Sequence, residues 1–124
     1  MGDPRSLLAA ARRILEGAEQ DAARAHHMSA CVGAQRAAAM ATEAWLVAAG
    51  QPRVSASVHE NVCLAPDSGA DVRAAARLLD RHRIEEGPHG SAAPVGESAR
   101  ESAAALTAGR RVMEFVAARM SASG

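Results

Sequence analysis

The 124-residue chain contains 32 alanines, one tryptophan, one phenylalanine and no tyrosine, and its formal net charge at pH 7 is +0. This length predicts a single domain over residues 1–124. Because alanine is the strongest helix former, and strands favour β-branched and aromatic residues, the composition predicts an all-α fold. The balanced charge argues against strong non-specific binding of nucleic acid. The sequence has no long apolar run and no apolar leader, so we expect a cytoplasmic protein that does not span a membrane.

The first predicted helix begins at the N-terminal end of the chain. Asp3 followed by Pro4 is a typical pair for an N-cap and a first helical residue. Apolar residues then recur at helical spacing up to residue 18. Gly17 disfavours a helix, so we expect it to weaken or end the first helix and to leave a short break near Gln20.

The second predicted helix is the longest and extends from about Asp21 to Ala49, where Gly50-Gln51-Pro52 stops it. Its predicted inward seam consists of Met28, Cys31, Val32, Gln35, Ala38, Ala39, Thr42, Trp45, Leu46 and Ala49. The alanines in this seam allow a neighbouring helix to approach closely. Gln35 and Thr42 are either buried polar groups bonded to a neighbour or contacts to a ligand. Trp45 is expected to anchor the core or a dimer interface.

The middle of the chain is less regular. A short helical turn is possible from His59 to Leu64, and Asp67 or Ser68 is expected to cap a further helix that ends near Arg83. The inward residues of that helix are predicted to be Val72, Ala75, Ala76 and Leu79. Residues 85–95, EEGPHGSAAPV, are predicted to form a loop.

Ser98 followed by Glu101 is a capping-box signature that predicts the start of a last helix, ending near Ser121. Its predicted inward residues alternate in steps of three and four: Ala99, Ser102, Leu106, Gly109, Met113, Val116 and Met120. The elements together predict an antiparallel up-and-down bundle of four to five helices. Because large apolar side chains are few, the core of one chain is thin. We therefore expect a homodimer.

Several segments, in the same order along the chain, resemble the HEPN domain (higher eukaryotes and prokaryotes nucleotide-binding). Residues 31–39 read CVGAQRAAA and lead into EAWL at residues 43–46, which resembles the "CxxAQQAAEKALKAL" stretch of that family. His59 lies where the family has a "tHsl" segment, and residues 78–84, LLDRHRI, resemble its "LDRHYI" segment. Residues 98–116 resemble its closing helix. The resemblance covers nearly the whole chain and implies a HEPN-like helical bundle.

The resemblance also has departures. The family usually follows "LDRHYI" with "RYPD", whereas residues 83–89 read RIEEGPH, which keeps the proline and loses the Arg-Tyr pair. Met40 and Ala41 stand near the family's Glu-Lys pair. Members of the family dimerise, and many are partners of a minimal nucleotidyltransferase. In some of them that partner modifies a tyrosine beside an Arg-His pair, a mechanism that this tyrosine-free chain does not offer.

A subset of the family consists of metal-independent RNases with an Arg-x(4–6)-His pattern, in which histidine moves a proton and arginine stabilises the phosphate. Three pairs in this chain have that spacing: Arg53–His59, Arg77–His82 and Arg83–His89. With 14 arginines and five histidines, matches by chance are expected. Arg83 and His89 alone lie just before the last helix, where the family has its pair, and are therefore the candidate catalytic residues. Glu85 and Glu86 beside them would repel phosphate.

Other candidate sites are weaker. Gln35 and His82, which lie in the segments that resemble the family, are candidate ligand contacts. His26 and His27 lack further ligands at a spacing typical of metal sites, so we expect surface histidines and neither metal nor cofactor. Two basic pairs, Arg12-Arg13 and Arg110-Arg111, are interpreted as solvated helix faces or, alternatively, as a surface for a nucleotidyltransferase partner or a phosphate group. Cys31 and Cys63 are expected to be reduced thiols.

Two functions remain open. The first is a non-catalytic or weakly active HEPN-like subunit that binds a nucleotide or regulates a minimal nucleotidyltransferase in a toxin–antitoxin type system. The second is a metal-independent RNase toxin that uses Arg83 and His89 on RNA. The lost Arg-Tyr pair and the neutral charge favour the first.

Overall fold

A computed structural model describes residues 3–51, 57–83 and 98–122 of the chain. Within these ranges the protein is built from helices without strands: α1 (Pro4–Ala23), α2 (His27–Ala48), α3 (Val58–Val62), α4 (Ala70–Asp80) and α5 (Ala99–Ala122). A tight turn at residues 24–26 joins α1 to α2 as an antiparallel hairpin. The α2 helix lies at the centre and packs on all four others, and α4 packs on α5. The all-α prediction is confirmed, and none of the described helices is long and apolar enough to cross a membrane.

The core is made mainly of alanine. Eleven of the 21 residues of the main buried cluster are alanines, and the largest fully buried apolar side chains are Leu46, Leu79, Val58, Val62, Val112 and Val116. Small side chains let helix backbones approach closely. At the contact between α1 and α2, a Cβ built on Gly33 would lie 2.9 Å from Cβ of Ala18. The core therefore gains its packing from the proximity of helices more than from the size of its side chains.

The predicted break in the first helix is wrong. The α1 helix continues through Gly17 and ends at Ala23, so that α2 begins at His27 and not at Asp21. Ala25 adopts a left-handed backbone conformation with φ of 62° in the intervening turn. Because a single glycine costs a helix only about 1 kcal/mol, the burial of Ala18 one residue later can hold the helix together.

The inward seam of α2 is confirmed in its middle and wrong at both ends. Cys31, Gln35 and Thr42 are buried, but Met28 is 46% exposed, and Ala49 is exposed as the residue that caps the end of the helix. The Thr42 hydroxyl donates a hydrogen bond to the Ala39 carbonyl of the same helix at 2.9 Å, which satisfies the buried group locally. Trp45 is partly buried, and its ring meets that of Phe115 edge to face at 5.8 Å between centroids.

The short helix is confirmed as α3, and its first turn is capped from a distance. Ser57 is its N-cap, and the Asp80 carboxylate at the end of α4 accepts hydrogen bonds from the Ser57 hydroxyl at 2.6 Å, the Val58 amide at 2.9 Å and the His59 amide at 3.2 Å. The first amides of any helix lack partners within it. Asp80 supplies them here and thereby fixes α3 against α4.

The predicted cap of α4 is displaced. Neither Asp67 nor Ser68 caps this helix, because Gly69 is its N-cap, and the helix ends at Asp80 and not near Arg83. The Ser68 carbonyl instead accepts two hydrogen bonds from the Arg73 guanidinium, at 3.1 and 2.7 Å. The loop predicted over residues 85–95 lies outside the described residues.

The capping box of α5 is confirmed. The Ser98 hydroxyl accepts a hydrogen bond from the Glu101 amide at 3.1 Å and donates one to its carboxylate at 3.2 Å. Ala99, predicted to face inward, is exposed because it lies in the first turn, beyond the end of the neighbouring core. Ser102 is buried, donates to the Ala99 carbonyl and contacts Nδ1 of His27 at 3.0 Å.

Candidate functional site

An open groove of about 810 Å³ runs along one face of the α1–α2 hairpin and extends to Arg83, three residues beyond the end of α4. Its apolar walls include Ile14, Val32 and Met40, and its polar lining includes Asp21, Ser29, Gln35, Arg36, Glu43 and Arg83. A volume in this range is typical of small-molecule sites. Ala18 and Gly33, where the two helices approach each other closely, also line the groove.

Gln35 is the buried polar residue of this groove. Its side chain is only 5% exposed, and it forms no hydrogen bond with any other residue that the structure describes. The nitrogen and oxygen of this amide are accessible to solvent from the groove, so water can bond to them. The sequence leaves open whether Gln35 bonds to a neighbouring residue or contacts a ligand. In the structure no described residue bonds to its amide, which faces the groove.

Arg83 reaches the same groove from another part of the fold. It follows the last turn of α4, where its amide donates to the Asp80 carbonyl at 3.2 Å, and its side chain is partly buried at the groove wall. The structure therefore brings together two of the four candidate site residues, Gln35 and Arg83. His89, the other half of the Arg-His pair, lies outside the described residues.

His82 is not part of this site. It is buried at 8% exposure directly after α4, and it does not line the groove. The Arg77–His82 spacing does not produce a pair either, because Arg77 donates its Nε hydrogen to Nε2 of His59 at 3.1 Å. The spacing along the chain does not identify the histidine that Arg77 contacts, because α3 packs beside α4 and brings His59 within its reach.

The charges along the groove are balanced. Asp21 and Glu43 are acidic, Arg36 and Arg83 are basic, and the described lining contains neither histidine nor cysteine. Such a surface can bind a planar polar ligand between apolar walls and pair with one phosphate group, but it provides no net positive field for a long polyanion.

Sequence reasoning missed Asp21, Arg36 and Glu43 as groove residues. Met28, Val32, Arg36, Met40 and Glu43 follow one another at three- and four-residue steps, so they form a continuous stripe along α2 next to the buried seam. That spacing was a usable signal. The sequence does not place Asp21 at the groove, because its pattern assigns this residue to the second helix, whereas the structure has it in α1.

The remaining candidates are accounted for by contacts within the chain. Arg110 pairs with Glu19 at 2.7 Å and Arg111 with Asp71 at 3.6 Å, which supports solvated faces for this basic pair. His26 is exposed, whereas His27 is partly buried against Ser102. No cluster of three or more potential metal ligands occurs in the part of the chain that the structure describes.

Comparison with known proteins agrees with this architecture. No protein-family model matches the chain, and no curated protein matches it significantly. Among solved structures, ST0689, described as an archaeal HEPN homologue, is similar with a TM-score of 0.82 at 19% sequence identity, over 97% of this chain and 99% of that one. TT1696 from Thermus thermophilus is similar with a TM-score of 0.81 at 25% identity, over 96% of this chain and 99% of that one. The resemblance seen in the sequence is therefore matched in three dimensions, and the chain has a HEPN-like all-helical fold.

Proposed function

We propose that this protein is a non-catalytic or weakly active HEPN-like subunit that binds a nucleotide in the α1–α2 groove. The observation that carries the proposal is the Gln35 amide, which belongs to a largely buried residue, has no hydrogen-bond partner among the described residues and lines the same groove as Arg83. A ligand in the groove can bond to this amide in place of water.

The chemistry of the groove favours a mononucleotide over a longer nucleic acid. A glutamine amide can both donate to and accept from the edge of a base, and it matches the paired donor and acceptor of adenine. The apolar walls suit the faces of the base, and the Arg83 guanidinium suits one phosphate group. Asp21 and Glu43 in the same lining disfavour a chain of phosphates.

The loss of the Arg-Tyr pair from the segment that follows α4 favours a binding role over catalysis, because arginine is the residue best suited to steady a phosphate group. Regulation would then depend on contacts with other proteins. We propose a homodimer and, as its partner in the cytoplasm, a minimal nucleotidyltransferase in a toxin–antitoxin type system. Sedimentation equilibrium should give about twice the 12.7 kDa chain mass. A stable monomer would contradict the dimer.

Calorimetric titration with AMP, GMP and inorganic phosphate tests the site itself. We expect AMP to bind more tightly than GMP, and phosphate alone to bind weakly. Gln35→Leu should weaken AMP binding roughly fivefold and Arg83→Met roughly tenfold, in line with neutral and charge-assisted hydrogen bonds. Arg12→Met removes the same charge from an exposed position outside the groove and should leave binding unchanged. Equal binding by all three variants and the unmodified protein would refute the site.

The RNase alternative has a separate test. The purified protein and its His89→Ala variant are incubated with total RNA in the presence of a chelator. We expect no cleavage by either. Metal-independent cleavage that the substitution abolishes would overturn the binding role and establish Arg83 and His89 as catalytic residues.

A further inference from the structure

Two residues on the groove side of α1 are unfavourable for the helix that contains them. Gly17 lies in the interior of α1, where only proline is less favourable than glycine. Asp21 lies in the last turn, where the unpaired carbonyl groups and the helix dipole disfavour a negative charge. The two residues are four positions apart, so they lie one turn from each other on the same face. Both line the α1–α2 groove.

Packing within the chain does not account for Gly17. The two other helical glycines that the structure describes stand where packing is close, because a Cβ on Gly33 would lie 2.9 Å from Cβ of Ala18, and one on Gly109 would lie 3.2 Å from a methyl carbon of Leu15. A Cβ added at Gly17 has no such contact within 4 Å. The bare backbone of Gly17 therefore faces open space in the groove. Glycine is the usual residue where a ligand approaches the backbone closely.

Contacts within the chain do not account for Asp21 either. Its carboxylate forms no hydrogen bond or ion pair with any residue that the structure describes, and no basic residue stands in the last turn of α1. Its backbone carbonyl accepts hydrogen bonds from the amides of Arg24 and His26 at the end of the helix. The half-buried side chain is thus the part of Asp21 that is left to meet a ligand in the groove.

Gln35 and Arg83 lie on the side of the groove away from α1. Gly33 of α2 faces Ala18 of α1, and Gln35 is two residues further along, which is about 200° around the helix. Arg83 follows α4, which packs on α2, α3 and α5 and, among the described helices, does not contact α1. Gly17 and Asp21, which we call the α1 wall, therefore face the other two groups across the groove.

We propose, on the basis of the nucleotide-binding role above, that the α1 wall is the sugar subsite of the groove and makes it selective for ribonucleotides. The sugar is the middle of a mononucleotide, between the base and the phosphate. Because Gln35 contacts the base and Arg83 the phosphate from the far side, the sugar between them faces α1. The Asp21 carboxylate accepts hydrogen bonds from the ribose hydroxyl groups, as acidic residues do in other nucleotide sites. The missing side chain at Gly17 leaves room for the sugar ring.

The ribose hydroxyl is tested by calorimetric titration of the full-length protein with AMP and with 2′-deoxy-AMP. We expect AMP to bind about tenfold more tightly, because the deoxynucleotide lacks one donor to a charged acceptor. Asp21→Ala should reduce this preference to within about twofold. The ratio of the two affinities cancels any effect of the substitution on the phosphate or on the fold. Glu16→Ala removes an equal charge from an exposed position of α1 outside the groove and should leave the preference unchanged.

The space beside Gly17 is tested by filling it. Gly17→Ala should weaken AMP binding roughly tenfold, the effect of one extra carbon in a fitted site, and Gly17→Leu should weaken it further. Gly17→Ala should at the same time raise the midpoint of thermal unfolding, because alanine favours the helix. A merely structural role would not produce these opposite changes. Gln20→Leu enlarges the chain at an exposed position of the same helix outside the groove and should leave AMP binding unchanged.

The outcomes separate the sugar subsite from the nucleotide site itself. Equal binding of AMP and 2′-deoxy-AMP, or a preference that survives Asp21→Ala, would overturn the sugar subsite and leave the nucleotide site standing. Unchanged AMP binding by both Gly17 variants would overturn it as well. Binding of neither nucleotide would refute the proposed function and the subsite together. Asp21→Ala and Gly17→Ala each introduce a better helix former, so both variants are expected to fold, which circular dichroism verifies.

Discussion

Replacing Gly33 with alanine tests whether the bundle depends on close contact between α1 and α2. The new Cβ would lie 2.9 Å from Cβ of Ala18 and 3.6 Å from its Cα. Both atoms are fixed to the α1 backbone, so the contact cannot be relieved by rotating a side chain. The helices would have to move apart.

Two effects of opposite sign set the magnitude. Alanine is favoured over glycine inside a helix by about 1 kcal/mol. Forcing an extra methyl group into a packed contact costs about 1–3 kcal/mol. The second effect is the larger one at a distance of 2.9 Å, so we expect Gly33→Ala to lower the free energy of unfolding by about 1 kcal/mol.

Gly17 is the matched control, because it lies inside α1 and a Cβ added there meets no described atom within 4 Å. Gly17→Ala should therefore raise the free energy of unfolding by about 0.5–1 kcal/mol. Urea unfolding followed by circular dichroism, at one protein concentration for all variants, measures both changes. The difference between the two substitutions should be about 2 kcal/mol.

A double substitution identifies the cause. If Gly33→Ala destabilises through Ala18, then Ala18→Gly should restore space, and the pair should show a favourable coupling of about 1–2 kcal/mol. Stabilisation by Gly33→Ala equal to that by Gly17→Ala, or a coupling near zero, would refute the close contact.

Further predictions concern other contacts. Asp80→Asn should lower the free energy of unfolding, measured by thermal unfolding, by about 1–3 kcal/mol, because the amide replaces a charged acceptor of three hydrogen bonds. Unchanged stability would exclude the capping role. Trp45→Ala should lower the free energy of unfolding by about 2–3 kcal/mol, less than the loss of a fully buried ring, because the Trp45 ring is partly buried against Phe115. A change near zero would contradict that packing. The hydrogen bond from Arg119 lowers the pKa of Asp67, so its stabilising effect is present above the ordinary aspartate pKa and is lost as the pH falls through the lowered value. Arg119→Met should return that pKa towards its ordinary value in an NMR titration of the carboxyl group, and an unchanged pKa would exclude the contact.

Local sequence predicted a feature correctly where the residues that cause it lie within one or two helical turns of each other. The alanine-rich composition predicted helices, and Ser98 with Glu101 predicted the first turn of α5 because the two residues bond to each other. The buried positions of Gln35 and Thr42 followed from a repeat within α2. These features depend on helix geometry alone, which the chain carries in its own spacing.

Tertiary structure decided the features that join distant parts of the chain. Gly17 stays helical because Ala18 is buried against Gly33 of another helix, a contact that no local propensity contains. Asp80 caps α3 from the far end of α4. Gln35 and Arg83 line one groove only because α2 and the end of α4 meet there. Which distant residues come into contact depends on the relative rotation and separation of the packed helices. In this protein the separation depends on contacts between alanine and glycine, whose small side chains give the weakest hydrophobic pattern in a sequence.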